Sequence, residues 1–108
     1  MLNFKVKSFS IIDESYDMIL IKLIGDHNQV AYTIVEKVGY KIRCVMPAAR
    51  TSLRRGGFND LQVNFSEDGL EYACRSVKSK SYARDLFVKL SQDKYAEIYE
   101  KSMESCDE

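Results

Sequence analysis

Six basic side chains, Lys37, Lys41, Arg43, Arg50, Arg54 and Arg55, fall between positions 37 and 59, a stretch with no Asp or Glu. Four of the six are arginine, whose planar fork grips phosphate or a guanine edge through two parallel hydrogen bonds. The whole chain carries 16 basic and 16 acidic residues, so the segment is a local excess balanced by acidity elsewhere. Asymmetry of this kind speaks to partners rather than to fold. A second, weaker basic run follows at Arg75, Lys78, Lys80 and Arg84. The chemistry implied is the binding of a polyanion. The plainer account is that exposed faces carry charge for solubility and that cations such as Arg54 and Arg55 suit a helix C-terminus. A dipole preference does not explain the absence of acids over that length.

Other chemistry is sparse. Tyr40 and Phe58 flank the basic block and could stack on bases, although Tyr40 shares a strand face with Ile42 and Cys44 and is read as core. Gly56 and Gly57 follow no phosphate-loop spacing and are read as a helix C-cap. His27 is the only histidine. A ribonuclease could use it with Glu36 and an arginine as base, acid and phosphate clamp, but nothing in the spacing selects that set. The three cysteines, Cys44, Cys74 and Cys106, form no CxxC and no even framework. No metal, cofactor or disulfide is therefore expected, and a reducing, cytoplasmic setting is. The protein is expected not to be an enzyme.

The elements that must hold these groups are short and mostly extended. Leu2, Phe4 and Val6 alternate with polar residues, a period of two that predicts a half-buried strand running raggedly to Ile11 or Ile12. Asp13–Asp17 reads as a turn. Met18–Ile24 reads as a central strand, apolar on both faces. Gly25–Asn28 turns into Val30–Val35, and Glu36–Gly39 into Tyr40–Met46. In that fourth strand Ile42, Cys44 and Met46 face one way with Tyr40, while Lys41, Arg43 and Val45 face the other. Pro47 to Gly57 predicts a short helix, proline at its start and glycine past its end, with Ala49 and Leu53 toward the sheet. Leu61, Val63 and Phe65 predict a fifth strand. Glu67-Asp68-Gly69 would turn it into a sixth bearing Leu70, Tyr72 and Cys74. From Ser81 the period changes: Tyr82, Ala83, Leu86, Phe87 and Leu90 mark an amphipathic helix. Tyr95, Ile98, Tyr99 and Met103 either extend it past Ser91–Asp93 or form a separate helix. Residues from Met103 onward read as a flexible acidic tail.

The expected fold is one α+β domain over residues 1–108: an antiparallel sheet of about six strands in the order β-β-β-β-α-β-β-α. Its inward set is Phe4, Leu20, Ile21, Tyr32, Ile42, Leu53, Val63, Tyr72, Leu86 and Phe87. This order resembles the C-terminal double-wing DNA-binding domain of MotA, the T-even phage middle-transcription activator. The resemblance spans Glu14 to Leu90 and is carried by Ser15-Tyr16 leading into Met18-Ile19-Leu20, by the helix Pro47–Gly57, and by the hairpin Leu61–Ser76. It implies a saddle-shaped sheet that binds duplex DNA in transcription regulation. The expected contacts are Lys41, Arg43, Arg50, Arg54, Arg55, Arg75, Lys78 and Lys80. The alternative is a small phage-type protein that binds and modulates a host protein, with the terminal aromatic stripe as a homodimer seam. No apolar run is long enough to span a membrane, and the N-terminus lacks the apolar region of a signal peptide.

Overall fold

A computed structural model describes residues 5–46, 62–73 and 75–106, with the backbone alone described at 73 and 97–106. The fold is α+β. Strands β1 (Ser8–Ser15), β2 (Met18–Ile24), β3 (Val30–Val38), β4 (Lys41–Cys44) and β5 (Gln62–Asn64) lie side by side in chain order, each antiparallel to the next. Helices α1 (Glu67–Ala73) and α2 (Lys80–Cys106) follow.

Tight turns set the registers. Tyr16 and Asp17 join β1 to β2 with φ of 52° and 61°, the two positive values that match the twist of paired strands. The turn is thus two residues rather than the expected five, because β1 runs on through Ser15. At its start, residues 5–7 are not strand, although Val6 is buried and the Lys7 amide bonds the Ile24 carbonyl at 2.8 Å. His27 and Asn28 supply positive φ between β2 and β3, and Gly39, at φ 63°, opens the β3–β4 turn. Tyr40 sits at that turn and is fully exposed rather than in the core. Two residues must close this turn, so Tyr40 lies beyond the last paired position, Val38 with Lys41.

Strand β2 governs the packing. Met18, Ile19, Leu20, Ile21 and Leu23 are all at most 4% exposed, and consecutive strand residues point to opposite faces, so both faces of β2 need a cover. Register places Met18 and Leu20 on one face with Ile34, Glu36 and Arg43. Helix α2 lies on that face, with Ala83 and Phe87 buried and Lys94 reaching Glu36. The other face carries Ile19, Ile21, Thr33, Val35, Cys44, Ile42 and Val63. It is covered by Leu70 of α1, by Val6 and by Arg75, whose backbone bonds the Thr33 hydroxyl and the Cys44 thiol, while Val77 pairs with Tyr32 in the plane of the sheet. The Cys44 side chain is buried, as its alternation with Arg43 predicts. The Phe9 and Phe65 rings stack with centroids 5.2 Å apart. Edge strands of a flat five-stranded sheet would stand about 19 Å apart, so the sheet curls over this face.

The expected sixth strand is helix α1, which leaves five strands among the described residues. Ser66 precedes two first-turn acids, Glu67 and Asp68. Its hydroxyl accepts the Gly69 amide at 3.2 Å and its carbonyl the Leu70 amide at 2.9 Å. A serine cap with acids in the first turn is a helix start, and it prevails over the Asp-Gly hairpin signal. One of the pieces that carry the double-wing resemblance, Leu61–Ser76, is therefore a strand and a helix. Within α1, Leu70 is buried, whereas Tyr72 is exposed rather than inward. Helix α2 is continuous through Ser91–Asp93 and extends to Cys106, taking in residues expected to be tail. Lys101, Met103 and Glu104 are good helix formers. Among the described members of the inward set, Leu20, Ile21, Tyr32, Ile42 and Phe87 are buried, with Val63 and Leu86 packed against them. Phe4, Leu53 and the helix Pro47–Gly57 lie outside the described residues.

Gly69 gives a test of this packing. A Cβ there would overlap the Asn64 carbonyl oxygen and stand 3.3 Å from Val63 Cγ2. Glycine to alanine inside a helix ordinarily stabilises by about 1 kcal/mol; here Gly69→Ala is expected to destabilise by about 1–3 kcal/mol in urea unfolding, because α1 must move off β5.

Candidate nucleic-acid interface

The basic residues divide by what the fold already asks of them. Arg43 lies on β4 directly opposite Glu36 of β3. Its Nη2 and Nε both donate to Glu36 Oε1, the latter at 2.9 Å, while Lys94 Nζ donates to Glu36 Oε2 at 3.0 Å. The Glu36 side chain is 13% exposed. Burial by itself raises its pKa, but the hydrogen bonds from Lys94 and Arg43 and the two positive charges outweigh that, and the carboxyl is held below its ordinary value. Arg43 thus joins the sheet to α2 rather than standing ready for a ligand.

Arg75 is likewise engaged. Its Nη1 donates to the Met46 carbonyl at 2.9 Å, its amide to Cys44 Sγ at 3.2 Å, and its carbonyl accepts the Thr33 hydroxyl at 2.7 Å. These bonds fix the chain where β4 leaves the sheet, at the start of the connection to β5 that carries Arg50, Arg54 and Arg55. Two residues on, Val77 takes the place beside Tyr32 that β4 has vacated, with amide–carbonyl bonds of 2.7 and 2.9 Å. Lys78 and Lys80 follow, both exposed. Lys41 is exposed at the far end of the same strand pair. Val38 faces Lys41 and Tyr32 faces Val77, so the two ends are six residues, about 20 Å, apart along β3. Among the described residues none of these three lysines makes an ion pair. Arg50, Arg54, Arg55 and Phe58 lie outside the described residues.

The two ends of the β3–β4 pair, at Lys41 and at residues 75–80, therefore carry exposed cations, and Arg75 adjoins the start of the arginine-bearing connection. Tyr40 lies beside Lys41 at the hairpin tip and is fully exposed. Lys37, close to that tip, meets Glu14 at 3.5 Å, with both side chains about half exposed.

The ribonuclease set is not assembled. His27 sits in the β2–β3 turn, exposed, whereas Glu36 lies toward the opposite end of β3 and is held by Arg43 and Lys94. Among the described residues no three His, Cys, Asp or Glu side chains gather as a metal site, and no helix is long and apolar enough to cross a membrane. In the terminal stripe, Tyr95 packs on Tyr16 with centroids 5.9 Å apart; Ile98, Tyr99 and Met103 lie where the backbone alone is described. Neither the Glu36–Lys94 bond nor the Tyr16–Tyr95 contact carries a local signal, since each joins residues more than 50 positions apart. Searches of protein-family models, curated proteins and solved structures found no match to the chain.

The Glu36 cluster makes stability depend on pH with a definite sign. A carboxyl whose pKa is lower in the folded state contributes stability above its unfolded value of about 4.5, and that contribution is lost as pH falls through the folded value. Denaturant titrations should show stability declining from about pH 5 downward, with a shallower decline in Glu36→Gln. At neutral pH that variant is expected to lose about 1–3 kcal/mol, because Arg43 and Lys94 lose a half-buried charged acceptor.

Proposed function

We propose that the protein is a non-enzymatic, duplex-DNA-binding regulator that works through the two ends of the β3–β4 pair, at Lys41 and at residues 75–80. The observation that carries this reading is the division of the cations. Arg43 and Arg75 are bonded within the fold, and Arg75 holds the start of the arginine-bearing connection next to exposed Lys78 and Lys80. Lys41, Lys78 and Lys80, with Arg50, Arg54 and Arg55 from the connection, are the phosphate contacts in this reading. The separation of about 20 Å between Lys41 and Lys78 falls within one turn of duplex, about 34 Å, so both ends can meet one DNA molecule. Tyr40 would lie against the sugar or base edges at one end. The double-wing resemblance points to the same partner, but the reading rests on the charges. A reducing, cytoplasmic setting belongs to this reading.

Fluorescence anisotropy with a labelled duplex of about 20 base pairs tests the reading. Affinity is expected to fall between about 50 and 200 mM salt with a log–log slope of about −4 to −5, as for five neutralised phosphates. Lys78→Glu with Lys80→Glu should weaken binding and leave the melting temperature unchanged. A flat salt dependence, or no binding at low salt, would overturn the reading.

A further inference from the structure

A groove of about 480 Å³ opens between the β1–β2 turn and the middle of α2, on the sheet face that α2 covers. Phe87 and Val88 supply an apolar floor and Tyr16 and Tyr95 a pair of rings, inclined at 49° with centroids 5.9 Å apart. Tyr16, Val88 and Tyr95 are each about half exposed. Tyr16 adopts a left-handed φ of 52°, a conformation disfavoured for a bulky residue, and it brings the ring against Tyr95.

The charged groups that line the groove, Asp13 and Glu14, are both acidic. Asp13 stands on its rim with one oxygen accepting the Glu14 amide at 2.8 Å. Glu14, also on the rim, meets Lys37 at 3.5 Å. Among the described residues no Lys or Arg lines the groove. The Ser91 hydroxyl, which does line it, is buried and makes no hydrogen bond among the described residues. Buried hydroxyls ordinarily find a partner, so Ser91 leaves an unmet hydrogen-bonding group at the site.

We propose that this groove seats an arginine side chain from a partner protein. A guanidinium is flat, stacks on tyrosine faces and donates hydrogen bonds in several directions. Tyr16 and Tyr95 receive its plane, the Asp13 carboxylate takes its charge, and the Ser91 oxygen accepts an N–H. Phe87 and Val88 contact the methylene stem and an apolar neighbour on the partner. The acidic rim selects a basic segment and rejects an acidic one, which makes this surface opposite in character to the lysine-bearing ends of the β3–β4 pair. The site is independent of the nucleic-acid reading and stands or falls alone.

The test uses the full chain, isotope-labelled, and two capped peptides, Leu-Arg-Leu and the same peptide with citrulline in place of arginine. Citrulline keeps the shape and loses the charge. The arginine peptide is expected to shift the amide signals of Asp13, Tyr16, Val88, Ser91 and Tyr95 and to bind about tenfold more tightly than the citrulline peptide. Tyr95→Ala and Asp13→Asn, both at exposed side chains, should each weaken binding with no change in circular dichroism. Equal binding of the two peptides, shifts located elsewhere, no shift at about 5 mM peptide, or wild-type affinity in both variants would overturn the proposal.

Discussion

The burial of β2 on both faces is the constraint on which the rest of the structure depends. A strand reading Met-Ile-Leu-Ile-Lys-Leu-Ile has no polar side to give to water, so each face must be roofed by another element. Fully burying one such side chain contributes about 1.5–3 kcal/mol, and five of them lie on this strand at 4% exposure or less. Helix α2 covers one face. The curled sheet edge, α1 and Arg75 cover the other. This second cover brings Arg75 to the point where β4 leaves the sheet, and so fixes where the arginine-bearing connection starts. The distribution of surface charge follows from a packing requirement.

The same requirement decides which charged groups remain available. On the α2 side, Glu36 sits where the helix crosses β3, and burying a carboxylate is costly unless it is paired and hydrogen-bonded. Arg43 and Lys94 provide both. Two cations are thereby withdrawn from the surface, one of them within the basic stretch itself. On the opposite side the Arg75 guanidinium meets the Met46 carbonyl. Lys41, Lys78 and Lys80 stay in solvent because they stand at strand or helix ends, beyond the reach of either cover.

Local pattern made much of this legible. The bounds of β2, the turn at Gly25–Asn28, the alternation of Ile42 and Cys44 against Arg43, and the onset of α2 can all be read from period and turn chemistry. The sequence misled where two local signals competed. At Ser66-Glu67-Asp68-Gly69 a helix cap and a hairpin turn share the same residues, and the outcome depends on Gly69 lying against the Asn64 carbonyl, a contact that no window reveals. Tyr40 is exposed because it is the second residue of a two-residue turn and β4 begins one position after it. The basic residues were visible as a set, but their division into bonded and exposed members was not, because Glu36, Met46 and Lys94 reach them only through the fold.

The central claim is that the two ends of the β3–β4 pair, at Lys41 and at residues 75–80, rather than the α2 side of the sheet, meet DNA. Amide chemical-shift mapping during titration with an unlabelled duplex tests this most directly. The account predicts changes at Lys41, at Lys78 and Lys80 and through residues 47–61, reversed by added salt, with Asp13–Tyr16 and Val88–Tyr95 unmoved. Changes centred on the Tyr16–Tyr95 groove, or a spectrum the duplex leaves unaltered, would contradict it.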